Sequence, residues 1–335
     1  MAPILYRDAA FTDARSPDLR LGVSLLVDRG TIAWLGDAGD EPDPGPDATV
    51  VDAGGATIVP AMVDSHSHIT LPGGSHWIDR IADETDDLLA TAERNGERLV
   101  AAGIRWARDV GSPTREVDGV SRALGLTVRD RWHGRRDRPY IRAAGTWIGK
   151  RDALPGAHFL VEAADGDELL AAALRQLDDG ADHLKLYMDG PDTDTPVFTE
   201  HEVAGVVDAA AEAGAKVTAH ATQIGGTRAA VRGGVASIEH GDSIDEDLAA
   251  DMAERGTYVV TTHSVMKSWL SFGTTTAIER FAGDDRPAAI EGRLEQARES
   301  ARIAHRAGVR IAAGSDFGGG SLRAGHLAWE VEALV

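Results

Sequence analysis

From Val59 onward, short apolar runs alternate with long segments whose apolar residues recur at helical spacing. The runs are 59–65, 104–110, 140–145, 182–187, 216–220, 237–241, 257–262 and 309–315. Helical patterns fill the intervals at 84–102, 113–125, 166–179, 199–213, 222–233, 245–255, 288–307 and 324–334. Gly103, Gly180, Gly214, Gly234, Gly256 and Gly308 each stand just before a strand, where a helix C-terminal cap belongs. Eight strands each followed by a helix predict an α/β protein built as a (β/α)8 TIM-like barrel. Parallel strands covered on both faces explain runs with little alternation. A doubly wound open sheet has the same alternation.

Residues 1–58 follow another pattern. Ile4–Tyr6, Val23–Gly30 and Thr31–Gly36 read as short strands, with Asp28-Arg29-Gly30 as the turn of a hairpin. Asp37 to Asp47, rich in Asp, Gly and Pro, reads as a loop. The expected organisation is a small β module over 1–58 and a main domain over 59–335.

Composition narrows the partners. The 335-residue chain is 43% hydrophobic, enough for a sizeable core, and carries a formal net charge of -20, which argues against nucleic acid and anionic membranes. Without cysteine there is no disulfide, thiolate ligand or cysteine nucleophile, so any metal must be held by His, carboxylate or a less usual ligand. The N-terminus lacks a signal-peptide pattern, and no apolar run approaches the roughly 20 residues of a membrane helix. The expected location is cytoplasmic. Only four of the 34 cationic residues are lysines, at 150, 185, 216 and 267, which singles out Lys185 inside the apolar strand His183-Leu184-Lys185-Leu186-Tyr187. A buried unpaired lysine costs several kcal/mol or sheds its charge, so it needs a reason to be there.

Strand ends carry the candidate chemistry. His66 and His68 are spaced i, i+2 and project from one face if Val59–Ser65 is a strand. His220, His240 and Asp316 end or follow the runs at 216–220, 237–241 and 309–315. A polar residue closing one strand is ordinary, but five strands presenting His66, His68, Lys185, His220, His240 and Asp316 at the C-terminal ends predict a metal centre and favour the closed barrel.

The segments IVPAMVDSHSH (58–68), AAGIRWARDVG (101–111), GADHLKLYMDG (180–190), FTEHEVAGVVDAAAEAGAKVTAHA (198–221), GVASIEHG (234–241), MAERGTYVVTT (252–262) and AGVRIAAGSDFG (307–318) resemble the amidohydrolase superfamily. The resemblance is closest to its imidazolonepropionase-like and prolidase-like branch of binuclear metal hydrolases. It implies two divalent ions, zinc being the expected identity: His66 and His68 hold one with Asp316, His220 and His240 hold the other, and a carboxylated Lys185 bridges them. It further implies hydrolysis of an amide, peptide or cyclic amide C–N bond by a metal-bridging hydroxide, with Asp316 as general acid/base. A dipeptidase or prolidase-like enzyme fits, acting on a small-molecule or dipeptide-like substrate. The alternatives are a deaminase on the same fold and a non-catalytic binding or assembly subunit.

Tyr187, His263 and His326 are candidate substrate contacts, and 146–159 and 262–287 are long enough to be lids. His76, His133, His201 and His305 are assigned to the surface. His201-Glu202 lacks the second histidine of a zincin helix because position 205 is Gly, and Gly145–Arg151 falls short of a phosphate-binding loop. In the resembled branch a C-terminal segment returns to the N-terminal module and completes a small β-sandwich; here the chain stops at Val335, inside the eighth helix. Residues 1–58 are therefore expected to be the N-terminal part of a β-sandwich, completed by a separate C-terminal polypeptide, and the assembly is expected to be a homo-oligomer.

Overall fold

A computed structural model describes residues 2–153, 159–273, 275, 276, 278, 281 and 283–335. It divides into two compact units, Met1–Met62 and Val63–Val335. The first unit is a five-stranded mixed sheet of β1 (Ile4–Phe11), β2 (Arg20–Asp28), β3 (Thr31–Asp37), β4 (Thr49–Asp52) and β5 (Thr57–Ile58). β1 pairs antiparallel with β2 and parallel with β4 and β5, while β2 and β3 form the hairpin turned by Arg29 and Gly30, both at positive φ. Leu5, Ala9, Val23 and Leu25 are buried within this sheet.

The second unit alternates strand and helix. Its strands are β6 (Met62–Ser67), β7 (Ile104–Asp109), β8 (Thr114–Val117), β9 (Val120–Ala123), β10 (Tyr140–Ala143), β11 (Ile148–Lys150), β12 (Val161–Ala163), β13 (His183–Tyr187), β14 (Lys216–Ala221), β15 (Ser237–His240), β16 (Tyr258–Thr261) and β17 (Ile311–Ala313). Its helices are α1 (Thr85–Ala101), α2 (Leu124–Trp132), α3 (Gly166–Asp178), α4 (Glu200–Glu212), α5 (Ile224–Arg232), α6 (Glu246–Arg255), α7 (His263–Phe272), α8 (Arg286–Arg306) and α9 (Leu327–Leu334). The eight apolar runs are β6, β7, β10 and β13 to β17.

Those strands lie parallel in two sheets, ordered β10-β7-β6 and β12-β11-β13-β14-β15-β16-β17. Single parallel bridges link Ala144 to His183 and Ser67 to Phe317. Helices cover the outer faces, and the main core gathers Leu184, Leu186, Val217, Ala219, Ile238 and Val259 from the strands with Leu169, Val203, Val206 and Leu248 from the helices. Local chemistry sets the boundaries. Thr199 and Glu202 cap α4 reciprocally, Asp165 and Asp245 cap α3 and α6, and the six pre-strand glycines have φ between 72° and 90°.

Two expectations change. Residues 113–125 were expected to be helical, but β8 and β9 pair antiparallel around Asp118 and Gly119, whose φ values of 54° and 80° mark a tight hairpin turn. An Asp-Gly pair between Val117 and Val120 is a hairpin signal that outweighs weak helical spacing. The stretch 262–287 is not a bare lid, since α7 fills its first part, and 146–159 contributes β11. Residues 154–158, 274, 277, 279, 280 and 282 of those two stretches lie outside the described residues.

Candidate metal centre

The candidate ligands meet because the segment after β17 docks on the end of β6. Asp316 N–H donates to the His66 carbonyl at 2.8 Å and His68 N–H donates to the Phe317 carbonyl at 3.0 Å. Buried Asp64 reinforces the junction by accepting from Ser315 N–H at 3.0 Å and Ser315 Oγ at 2.5 Å, and Asp109 accepts from Ile69 N–H and Gly111 N–H. Burial pushes both carboxyls up to about 6. Asp316 and His240 sit at φ 48° and 73°, left-handed conformations that cost on the order of 1–3 kcal/mol each outside glycine and concentrate at functional sites.

Each imidazole is oriented through one ring nitrogen. His68 Nδ1 donates to the Gly111 carbonyl at 2.7 Å, and His66 Nδ1 donates to Glu239 Oε2 at 2.7 Å. Both rings therefore present Nε2, which lie 3.3 Å (His68) and 3.4 Å (His66) from Asp316 Oδ1. Two imidazole nitrogens and a carboxylate oxygen converging on one point repel unless a proton or a cation lies among them. The donor set suits a divalent transition ion, and the three ligand atoms all lie within 4.8 Å of one another.

The second half of the site adjoins the first. The His240 ring is 4.9 Å from His66 and 4.6 Å from His220, and its Nδ1 is 2.7 Å from Thr262 Oγ1. Burial, with His220 and His66 nearby, holds His240 far below the ordinary imidazole range, so it stays neutral and able to ligate. Lys185 is 1% exposed and its Nζ has no hydrogen-bond partner among the described residues; burial pushes its amine down to about 8. Burial opposes the Asp316 charge, yet His66, His68 and His240 hold it well below the usual carboxylate range.

His66, His68, Lys185, His220, His240 and Asp316 line one cavity of about 540 Å³. Tyr187 lines it too, stacked on His220 at 4.0 Å. His263 and His326 do not. His263 opens α7 as a buried ring acted on by Glu330 and Asp242, and His326 stacks on Trp329 at 4.1 Å. His76, His133, His201 and His305 are exposed.

Several residues of the site were missed in the sequence reading. Glu239 is completely buried, with Arg108 Nη2 at 2.5 Å and Ser237 Oγ at 2.8 Å donating to Oε1 along with Thr218 Oγ1. Burial opposes its charge, but Arg108, Lys185 and His66 hold it well below the usual range. Asp189 receives His220 Nε2 at 3.0 Å, Thr222 N–H at 2.9 Å and Thr222 Oγ1 at 2.6 Å, and against the effect of burial these hold it at about 2. The signal was available: a charge inside the strand SIEH invites the question asked of Lys185, and Asp189 continues the alternation of 183, 185 and 187. Close approach also requires glycine, since a Cβ on Gly319 would lie 2.0 Å from His68 Cδ2.

The model of the amidohydrolase family matches residues 57–335. An uncharacterised protein of Mycobacterium tuberculosis is 32% identical over 336 residues, spanning 96% of this chain and 80% of that protein. Imidazolonepropionase of Paracoccus denitrificans is 27% identical over 267 residues, spanning 71% of this chain and 64% of that enzyme. Among solved structures, a Xaa-Pro dipeptidase with methionine bound in its active site superimposes with a TM-score of 0.80 at 24% identity, over 99% of this chain and 83% of that one. At that identity the likeness speaks to the fold.

Proposed function

The chain belongs to the amidohydrolase family, and on that premise we propose that it is a metal-dependent hydrolase that cleaves an amide, peptide or cyclic amide C–N bond. The observation that carries the reading is the convergence of His66, His68 and Asp316 with His220, His240 and Lys185 in one cavity. The bridges at Ala144–His183 and Ser67–Phe317 support a closed eight-stranded barrel over 59–335; residues 1–58 are read as part of a β-sandwich.

His66, His68 and Asp316 would hold one divalent ion, His220 and His240 the other, zinc being the expected identity, and Lys185 would join them. Such a pair supplies Lewis-acid polarisation of a carbonyl and activation of water near neutral pH. The buried Lys185 Nζ, without a hydrogen-bond partner among the described residues, fits this role: a neutral amine can add to carbon dioxide, losing one proton and forming a carbamate, whose oxygens are anionic ligands. Asp316 Oδ2 lies beside Gly320, where a Cβ would stand 3.1 Å from it. That oxygen takes the proton of the attacking water and passes it to the leaving nitrogen. Tyr187, fixed by stacking on His220, offers its hydroxyl to the substrate.

The test is metal analysis with a substrate screen. Two equivalents of metal per chain and turnover within a panel of N-acyl amino acids, Xaa-Pro and other dipeptides, and lactams are expected. No bound metal and no turnover would favour a scaffold instead.

A further inference from the structure

The apolar and charged walls of the cavity are not evenly distributed. Trp77, Ile81, Trp147, Phe159, Met266 and Trp269 supply an aromatic and aliphatic lining, whereas the cations among the described lining residues are Lys185 and Arg293. Lys185 is at the candidate metal centre and fully buried. Arg293, on α8, is not: its side chain is 44% exposed.

Arg293 is held on one edge and one face. Its Nε donates to Asp242 Oδ2 at 2.7 Å, and its guanidinium carbon lies 5.6 Å from the centre of the Trp269 ring. Asp242 is nearly buried, follows His240 by two residues, and its carbonyl accepts from Ser300 Oγ at 2.8 Å, so the anchor is itself fixed. Neither Nη1 nor Nη2 has a hydrogen-bond partner among the described residues. A planar guanidinium fixed through Nε and a stacking ring presents its remaining edge as a ready fork for a carboxylate.

The carboxylates that line the cavity are already engaged. Asp189 is taken by His220 and Thr222, Asp316 faces His66 and His68, and Asp242 is bound to Nε. The unmatched Nη edge is therefore the anion-seeking element of the cavity. Tyr187 and Arg293 line the same cavity, so both groups border one space.

We propose that Arg293 is the specificity-determining residue that anchors a free substrate carboxylate, so that the substrate is an N-acyl or N-aminoacyl amino acid with a bulky apolar side chain. This rests on the hydrolase reading for the scissile bond, but the anchor is a binding property with its own readout. A cavity of about 540 Å³ is of a size to enclose such a molecule, with the apolar body against the tryptophans and the carboxylate on the Nη edge.

The experiment is calorimetric titration of the metal-loaded full chain with N-acetyl-L-phenylalanine and with its uncharged carboxamide. The acid is expected to bind at least about tenfold more tightly, the order of a charge-assisted bidentate pair. In Arg293→Gln the acid-to-carboxamide ratio should fall to about one. In Arg293→Lys, which keeps the charge beside Asp242 but loses the fork, it should be intermediate. Equal binding of the two probes by the wild type, no binding of either, or an undiminished ratio in both variants would overturn the anchor. Hydrolysis of the same acid, followed by chromatography, separates the two readings. A ratio that collapses in Arg293→Gln without any hydrolysis across the substrate panel overturns the hydrolase reading alone, and hydrolysis with an undiminished ratio overturns the anchor alone.

Discussion

Replacing Glu239 by Gln tests whether the barrel interior orients the metal site. Glu239 presents two acceptor oxygens to four donors: Arg108 Nη2, Ser237 Oγ and Thr218 Oγ1 at Oε1, and His66 Nδ1 at Oε2. Glutamine keeps one acceptor and gains an NH2 group. With its oxygen toward the three donors, the NH2 faces His66 Nδ1, so His66 must turn its Nδ1 lone pair inward and move its proton to Nε2. That nitrogen faces Asp316 and would no longer ligate. Losing one member of a fully buried ion pair costs about 3–5 kcal/mol; because the Arg108 side chain is 25% exposed, roughly 2–3 kcal/mol is expected here. The metal-free protein should melt lower by roughly 3–5 °C. Removing such an outer partner should also weaken metal binding by about 10–100-fold. Differential scanning calorimetry of the metal-free protein and competition with a chromogenic chelator measure the two effects. A lowered melting point with unchanged metal affinity would refute the orienting role and leave Glu239 a structural residue.

Asp316→Asn should retain metal by elemental analysis and lose turnover by roughly 10²–10⁴-fold, the contribution of a positioned acid–base group; near-wild-type kcat would remove Asp316 from that role. Lys185→Met removes a buried, partnerless amine, so the metal-free protein should be no less stable in urea while the metal content falls below two equivalents; an unchanged content would count against bridging. Adding a strong chelator should lower the melting temperature, with recovery on adding zinc, because an ion that binds only the folded state stabilises it by mass action. Gly205→Ala on exposed α4, where a Cβ meets nothing within 4 Å, should gain about 0.5–1 kcal/mol in urea unfolding, whereas Gly319→Ala, 2.0 Å from the His68 ring, should lose stability and metal affinity together.

The chain's local pattern determined a good deal of this. Period and composition fixed the eight parallel strands, because a strand covered on both faces must be apolar along its length. Thr199 with Glu202, and the glycines before strands, set helix boundaries because capping is decided within a few residues. The histidines, Lys185 and Asp316 stood out because polar groups ending or interrupting apolar strands require an explanation. The hairpin at Asp118-Gly119 was equally local and was lost only to competing helical spacing.

Tertiary structure decided which polar groups face one another. Asp316 reaches His66 because backbone hydrogen bonds join segments some 250 residues apart, and no local spacing encodes that register. Glu239 orients His66 and Asp189 orients His220 across strands, so their partners could not be read from neighbours in sequence. His263 and His326 show the converse: both follow strands in the right order, yet helix packing turns one into the interior beside Glu330 and stacks the other on Trp329. Arg293 gave no sequence signal at all. One arginine among thirty becomes distinctive only when Asp242 and Trp269, from two other elements, fix its plane at the edge of the cavity.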